Sequence, residues 1–231
     1  MNANVGSYGQ FCPVAMASEI LCTRWTLLVL REFLGGSTRF NDLLRGVPKM
    51  SPTLLSKRLK ELQVAGVITA KSDAKGPTTY HLTEAGEDLR GVVMAVGGWG
   101  QRWVESQLSL RNLDPSLLMW DMRRNLVTQP LPPHRCTIHF LYPELRVASQ
   151  NWWLIVTAGE VDLCNADPGF EVDLLVSGSL RSMTAIWMGL TDVGQEVGAG
   201  RLNVDGDPAI ARAMQAWLGL SPFSKIGRRV A

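Results

Sequence analysis

Residues 51–62 constrain this chain more than any other stretch. Ser51 and Pro52 form a helix start: a hydroxyl at the N-cap, then a proline where its missing N–H costs nothing. Leu55, Leu59 and Leu62 recur at i, i+4 and i+7 with Leu54 beside them, so one face must be buried. The opposite face carries Thr53, Ser56, Lys57 and Lys60 and no carboxylate, and Glu61 falls between the two. Short hydroxyls near the N-terminus with ammonium groups behind them suit a helix laid in a DNA groove, where lysines reach phosphates and small side chains admit base edges. An ordinary solvated helix face has the same composition, so the neighbours decide.

Upstream, Thr38 to Arg45 reads as a short helix with Phe40, Leu43 and Leu44 inward, joined to the next by Gly46-Val47-Pro48-Lys49-Met50. Helix, tight turn and polar-faced second helix make a helix-turn-helix. Downstream, Ala65-Gly66 ends the helix. Val67 to Ala70 and Thr78 to Leu82 read as strands around a Lys75-Gly76-Pro77 turn. A recognition-type helix followed by a hairpin is a winged helix.

With these pieces in order, the chain resembles the HxlR-type bacterial transcriptional regulators. The resemblance rests on Cys12-Pro13-Val14, Arg24 to Leu28, Arg39 to Leu43, Ser51 to Leu62 and Leu82-Thr83-Glu84-Ala85-Gly86, and covers about residues 8–106. It implies a homodimeric winged-helix protein that binds double-stranded DNA. Ser51, Thr53, Ser56, Lys57, Arg58, Lys60 and Lys75 are the expected DNA-contacting residues, with Arg58 toward the buried side. Members of the family commonly carry an arginine at the wing tip. This chain has Pro77 there, with Lys75 the nearest substitute.

Charge agrees with that placement. The net charge of +2 hides a division: residues 36–80 hold eight basic and three acidic side chains, whereas residues from 107 onward hold eleven and twelve. Phosphate binding needs the cations where the winged helix is, although a solvated lysine-rich surface would give a similar count.

The length, 231 residues, predicts two domains: residues 1–107 for DNA binding and dimerisation, and 112–222 for a second function. The apolar spacing predicts helix from Val14 to Leu34, restarting at Thr23, with Trp25 in the core and Cys22 as inert packing inside an apolar helix. A long helix from Thr83 to about Gln107 carries Leu89, Val92, Val93, Val96, Trp99 and Trp103. Its width exceeds what a solitary helix can hide, and the Gly97-Gly98-Trp99-Gly100 run predicts a bend. In the resembled family this segment and the first helix form the dimer interface.

The second half changes character. Asp114-Pro115 starts a helix, and Gln129 to Pro133 is a stiff linker. Strand patterns then crowd together at 136–142, 152–157, 160–164 and 171–176, followed by helical patterns after Gly178 and after Asp207-Pro208. The expected class is α+β: an N-terminal winged helix-turn-helix, mostly α with a β-wing, then an antiparallel sheet covered by helices. This half is similar to the sterol carrier protein superfamily, on the three central strands and the run from Gly200 to Pro208. That resemblance implies an apolar or lipid-like ligand between sheet and helices, near Trp153, Trp187, Trp217, Met183 and Met214. A one-residue shift in register would exchange Trp153 for Trp152. Without the resemblance, the same Trp and Met side chains fit a plain core or an adaptable pocket.

No GxSxG, HExxH or GxxxxGK[ST] motif occurs, so an enzyme is not expected. His134 and Cys136 share one strand face while His139 points the other way, so neither metal nor cofactor is expected. The N-terminus has no basic region with an apolar core, no stretch approaches the ~20 apolar residues of a membrane span, and the four cysteines form no CxxC pair. The expectation is a cytoplasmic protein with reduced thiols and no membrane. Cys12, beside Pro13 at a helix start, could have its thiolate favoured there, and some members of the resembled family sense oxidants through a cysteine at this place. The readings are therefore a regulator with an apolar effector, a redox-switched regulator acting through Cys12, or a lipid-carrier module with a structural DNA half.

Overall fold

The computed structural model describes residues 7–72, 76–105 and 110–230. The chain divides into two compact units, residues 1–96 and 97–231.

The first unit opens with α1 (Pro13–Leu21) and α2 (Thr26–Leu34). The predicted restart at Thr23 comes three residues later, because Trp25 sits at the N-cap of α2 with φ +79. A bulky side chain in that left-handed region costs of order 1–3 kcal/mol and persists only where surroundings hold it. Here the Trp25 ring is half-buried against the core, and the Arg24 guanidinium lies 5.5 Å from its centre. The break also corrects the reading of Cys22, which caps the end of α1 and is exposed rather than packed inside a helix.

Then follow α3 (Phe40–Gly46), α4 (Pro52–Val64), β1 (Ile68–Lys71), β2 (Thr79–Leu82) and α5 (Glu84–Trp103). The two strands pair antiparallel, and Arg39 bridges to Thr79 as a third short rung. Val29, Leu30, Leu43, Leu55, Leu59, Leu62 and Ile68 are among the side chains that close the core. Helix α5 runs unbroken through Gly97-Gly98 to Trp103, and its residues from Gly97 on belong to the second unit. There Gly97 permits a close approach: a Cβ on it would overlap the Phe223 ring, which packs against it.

The second unit contains α6 (Pro115–Asn125), β3 (Cys136–Leu141), α7 (Val147–Gln150), β4 (Asn151–Thr157), β5 (Glu160–Cys164), β6 (Leu174–Gly178), α8 (Leu180–Trp187), α9 (Val193–Gly198), β7 (Leu202–Gly206), α10 (Pro208–Arg212) and α11 (Met214–Trp217). The sheet order is β5-β4-β3-β6-β7. Ala158 and Gly159, both at positive φ, make a two-residue hairpin turn between β4 and β5. The sheet departs from the predicted all-antiparallel pattern in one pair, since β6 runs parallel to β3. The reason is the crossover: β5 lies at the edge, and residues 165–173 carry the chain past β4 and β3 before it re-enters.

One charged group is built into this unit. Glu196 is 4% exposed; its carboxylate accepts both arms of Arg201 at 2.8 and 2.7 Å and the Thr191 hydroxyl at 3.0 Å. Those bonds, Arg201 first, hold its pKa at about 2, below the ordinary carboxylate value. The ionised form is thus favoured by the fold, and its stabilisation is complete above the unfolded pKa near 4.5 and disappears as pH falls from there toward 2. Urea unfolding of Glu196→Gln beside wild type should show a stability gap that is flat from pH 7 to 5 and closes through about pH 4.5 to 2. A gap independent of pH across that window would refute the assignment.

Candidate nucleic-acid interface

The turn between α3 and α4 is anchored from below. Val47 and Met50 are buried at its two ends, while Lys49 between them is exposed. Behind the turn, buried Glu32 on α2 pairs with Arg31, whose guanidinium donates to the Gly46 carbonyl at 2.7 Å. Gly46 leaves room for Glu32, because a Cβ there would overlap its carboxylate. The Ser51 hydroxyl oxygen accepts the Leu54 N–H at 3.3 Å, so α4 begins where its cap predicts.

Helix α4 then separates its faces as the spacing requires. Leu55, Leu59 and Leu62 are no more than 2% exposed. Thr53, Ser56, Lys57 and Lys60 are exposed and lie at i, i+3, i+4 and i+7, along one stripe. Neither lysine has an ion-pair partner among the described residues. Ser51 is exposed, with its oxygen engaged in the cap. Arg58 is only 9% exposed and does not belong to that stripe: its Nε donates to the Arg24 carbonyl at 3.1 Å and its other arm pairs with Glu61. Burial pulls its pKa below the ordinary arginine value. Arg58 thus ties α4 to the strained junction before α2. Spacing alone could not find that tie, since the acceptor is a main-chain carbonyl 34 residues away. Lys75 lies outside the described residues.

Arg39 was not singled out by the sequence pattern as a contact, yet it is exposed at the N-cap of α3. Its adjacency to the wing strand became visible only through the bridge to Thr79.

The other expected sites fall as follows. Cys12 is the N-cap of α1 and half-exposed; the N–H groups of Ala15 and Val14 favour its thiolate and lower its pKa. In the second unit, Met183, Met214 and Trp217 are fully buried and Trp187 nearly so, all in one core. Trp153 does not join them. It pairs across the sheet with His139 and stacks on that ring at 4.6 Å, on the opposite face. Trp152 stands in the core instead, because β4 begins at Asn151 and alternation puts the even-numbered residues inward. Among the described residues no three His, Cys, Asp or Glu side chains converge as metal ligands. Cys136 is buried and its thiol is pushed up to about 11, by desolvation first and by Asp173 and Asp207 after it.

Residues 20–108 match the family model of the HxlR-like helix-turn-helix. The HTH-type transcriptional regulator YvaP of Bacillus subtilis is 32% identical over 99 residues, 42% of this chain and 92% of that protein. An HTH-type transcriptional regulator of Synechocystis is 32% identical over 101 residues, 43% of this chain and 75% of that one. Among solved structures, the reduced form of the transcriptional regulator YodB from B. subtilis is 26% identical; the match covers 40% of this chain and 93% of that one at a TM-score of 0.36. These relatives are named as regulators of transcription, not as enzymes, and among the described residues no single helix is long and apolar enough to cross a membrane. With YvaP matched over nearly its whole length, the chain belongs to the HxlR-like helix-turn-helix family of transcriptional regulators.

Proposed function

We propose that this regulator binds double-stranded DNA as a homodimer on a palindromic operator, reading the major groove with the exposed stripe of α4. The observation that carries the reading is the pairing of two lysines, without ion-pair partners among the described residues, with two small hydroxyl residues on a helix whose other face is locked into the core. In this reading Lys57 and Lys60 hold phosphates, and Thr53 and Ser56 lie against base edges, with Ser51 and Arg58 fixing the helix rather than touching DNA. Residues 1–107 supply DNA binding and dimerisation, and residues 112–222 a second module.

Replacing Lys57 by Ala should weaken binding to operator and random duplex alike and lower the salt slope by about one. Replacing Thr53 by Ala should instead relax sequence preference in a selection from randomised duplexes. If both variants match wild type in both assays, α4 is not the reading element.

Dimerisation is proposed through α5 and α1. Val92, Val96, Trp99 and Trp103 repeat at spacings of four, three and four, the pattern of a two-helix seam, and all four are exposed. Helix α1 has no buried residue; Val14 within it is 73% exposed and Phe11 just before it 99%. So much open apolar surface calls for a partner, and a second copy offers the same seam. Trp99→Glu would set a charge in that seam and should sediment as a monomer. Its operator affinity should fall by about 10²-fold or more with the loss of two-site avidity. An unchanged dimer would move the interface elsewhere.

Two switches remain in play. A thiol switch at Cys12 is favoured by its exposure and its N-cap position. An apolar effector in a sterol-carrier-like second module is supported by the Trp152, Met183, Trp187, Met214 and Trp217 cluster, but would have to displace side chains that fill the core. Operator affinity of wild type and Cys12→Ser, measured with diamide and separately with a panel of fatty acids and sterols, distinguishes them. Loss on oxidation that Cys12→Ser abolishes supports the thiol; a response to the panel in both proteins supports the effector; no response to either removes both.

A further inference from the structure

A groove of about 600 Å³ runs along the flank of α4 beside the end of α1, lined by Ile20, Lys57, Lys60, Glu61, Val64 and Ala65. On α4 its lining residues 57, 60, 61 and 64 follow the i, i+3, i+4, i+7 rule and share one stripe. That stripe overlaps the proposed DNA-facing stripe at Lys57 and Lys60, then turns apolar. Val64 is 84% exposed and Ile20 40% exposed. A surface that tracked phosphates alone would need the ammonium groups and no aliphatic wall. This one sets two cations that have no ion-pair partner among the described residues beside two open aliphatic side chains, and its volume falls in the range of small-molecule sites. The lysine stems extend the apolar lining, and Glu61, held by Arg58, puts one negative charge on the rim.

We infer that this groove binds an apolar monocarboxylate, a flat aromatic or branched acid. Its carboxylate is held by Lys57 and Lys60 and its body lies between Ile20 and Val64. The Glu61 carboxylate sets the charge of the ligand at one, because a second anionic group would sit against it. The ammonium groups that neutralise the ligand are those offered to phosphates, so acid and DNA exclude each other, and the coupling is reciprocal. That consequence rests on the proposed DNA reading; the binding site does not.

The probe is 1-naphthoate with full-length protein at constant ionic strength, with neutral 1-naphthalenemethanol as the control. Saturation-transfer NMR without DNA should show the naphthoate ring touching the protein, and Val64→Glu should abolish the signal. Val64 is largely exposed, so this variant keeps the fold, which circular dichroism verifies. In fluorescence anisotropy on a random duplex, millimolar naphthoate should weaken wild-type binding several-fold, while the alcohol should not, and the Val64→Glu protein should not respond to the acid. No saturation transfer, or an equal signal from Val64→Glu, overturns the site. A loss of DNA affinity that Val64→Glu shares marks a general anion effect and overturns it too. If naphthoate binds and Val64→Glu abolishes binding, but the Lys57→Ala/Lys60→Ala double variant holds DNA as wild type does, the groove stands and the DNA reading falls.

Discussion

The buried guanidinium of Arg58 joins the parts of the first unit that have to stay in register. On one side it holds the carbonyl of Arg24, next to a tryptophan forced into left-handed backbone, and on the other it pairs with Glu61 one turn along its own helix. A buried arginine is costly to leave unpaired, so α4 cannot slide or rotate against the α1–α2 junction without exposing that cost. Leu55, Leu59 and Leu62, at about 2 kcal/mol of burial each, hold the helix down; Arg58 fixes which way it faces. The outward stripe of Thr53, Ser56, Lys57 and Lys60 is therefore a consequence of what is fixed beneath it.

The second unit shows the same division between burial and orientation. Alternation along β4 decides that Trp152, Leu154 and Val156 meet the helices while Trp153 and Ile155 meet the other side. Both tryptophans are 7% exposed, so burial does not tell them apart; the face does. On the core side two polar tips are satisfied locally: Trp217 donates to the Ile210 carbonyl and Tyr142 to the Met119 sulfur. On the other side His139 stacks on Trp153 and bonds Asn151.

Local rules served well where the information was local. Caps at Ser51, Asp114 and Asp207 start their helices as read, each side chain accepting an N–H of the first turn. Contact at a distance was beyond those rules. Gly97 gives room to Phe223, more than 120 residues on. Cys22 fits an apolar helix until the turn at Trp25 ends that helix early.

By itself the sequence determined the winged helix-turn-helix, its family, and which face of α4 is polar, because periodicity, caps and turns act over a few residues at a time. Tertiary structure alone decided that Arg58 holds the Arg24 carbonyl, that β6 runs parallel to β3, that Trp152 and not Trp153 enters the core, and that Ile20 meets Lys57 and Lys60 across a groove. Each of these depends on a partner dozens of residues away or on a one-residue choice of register, and no local pattern carries either.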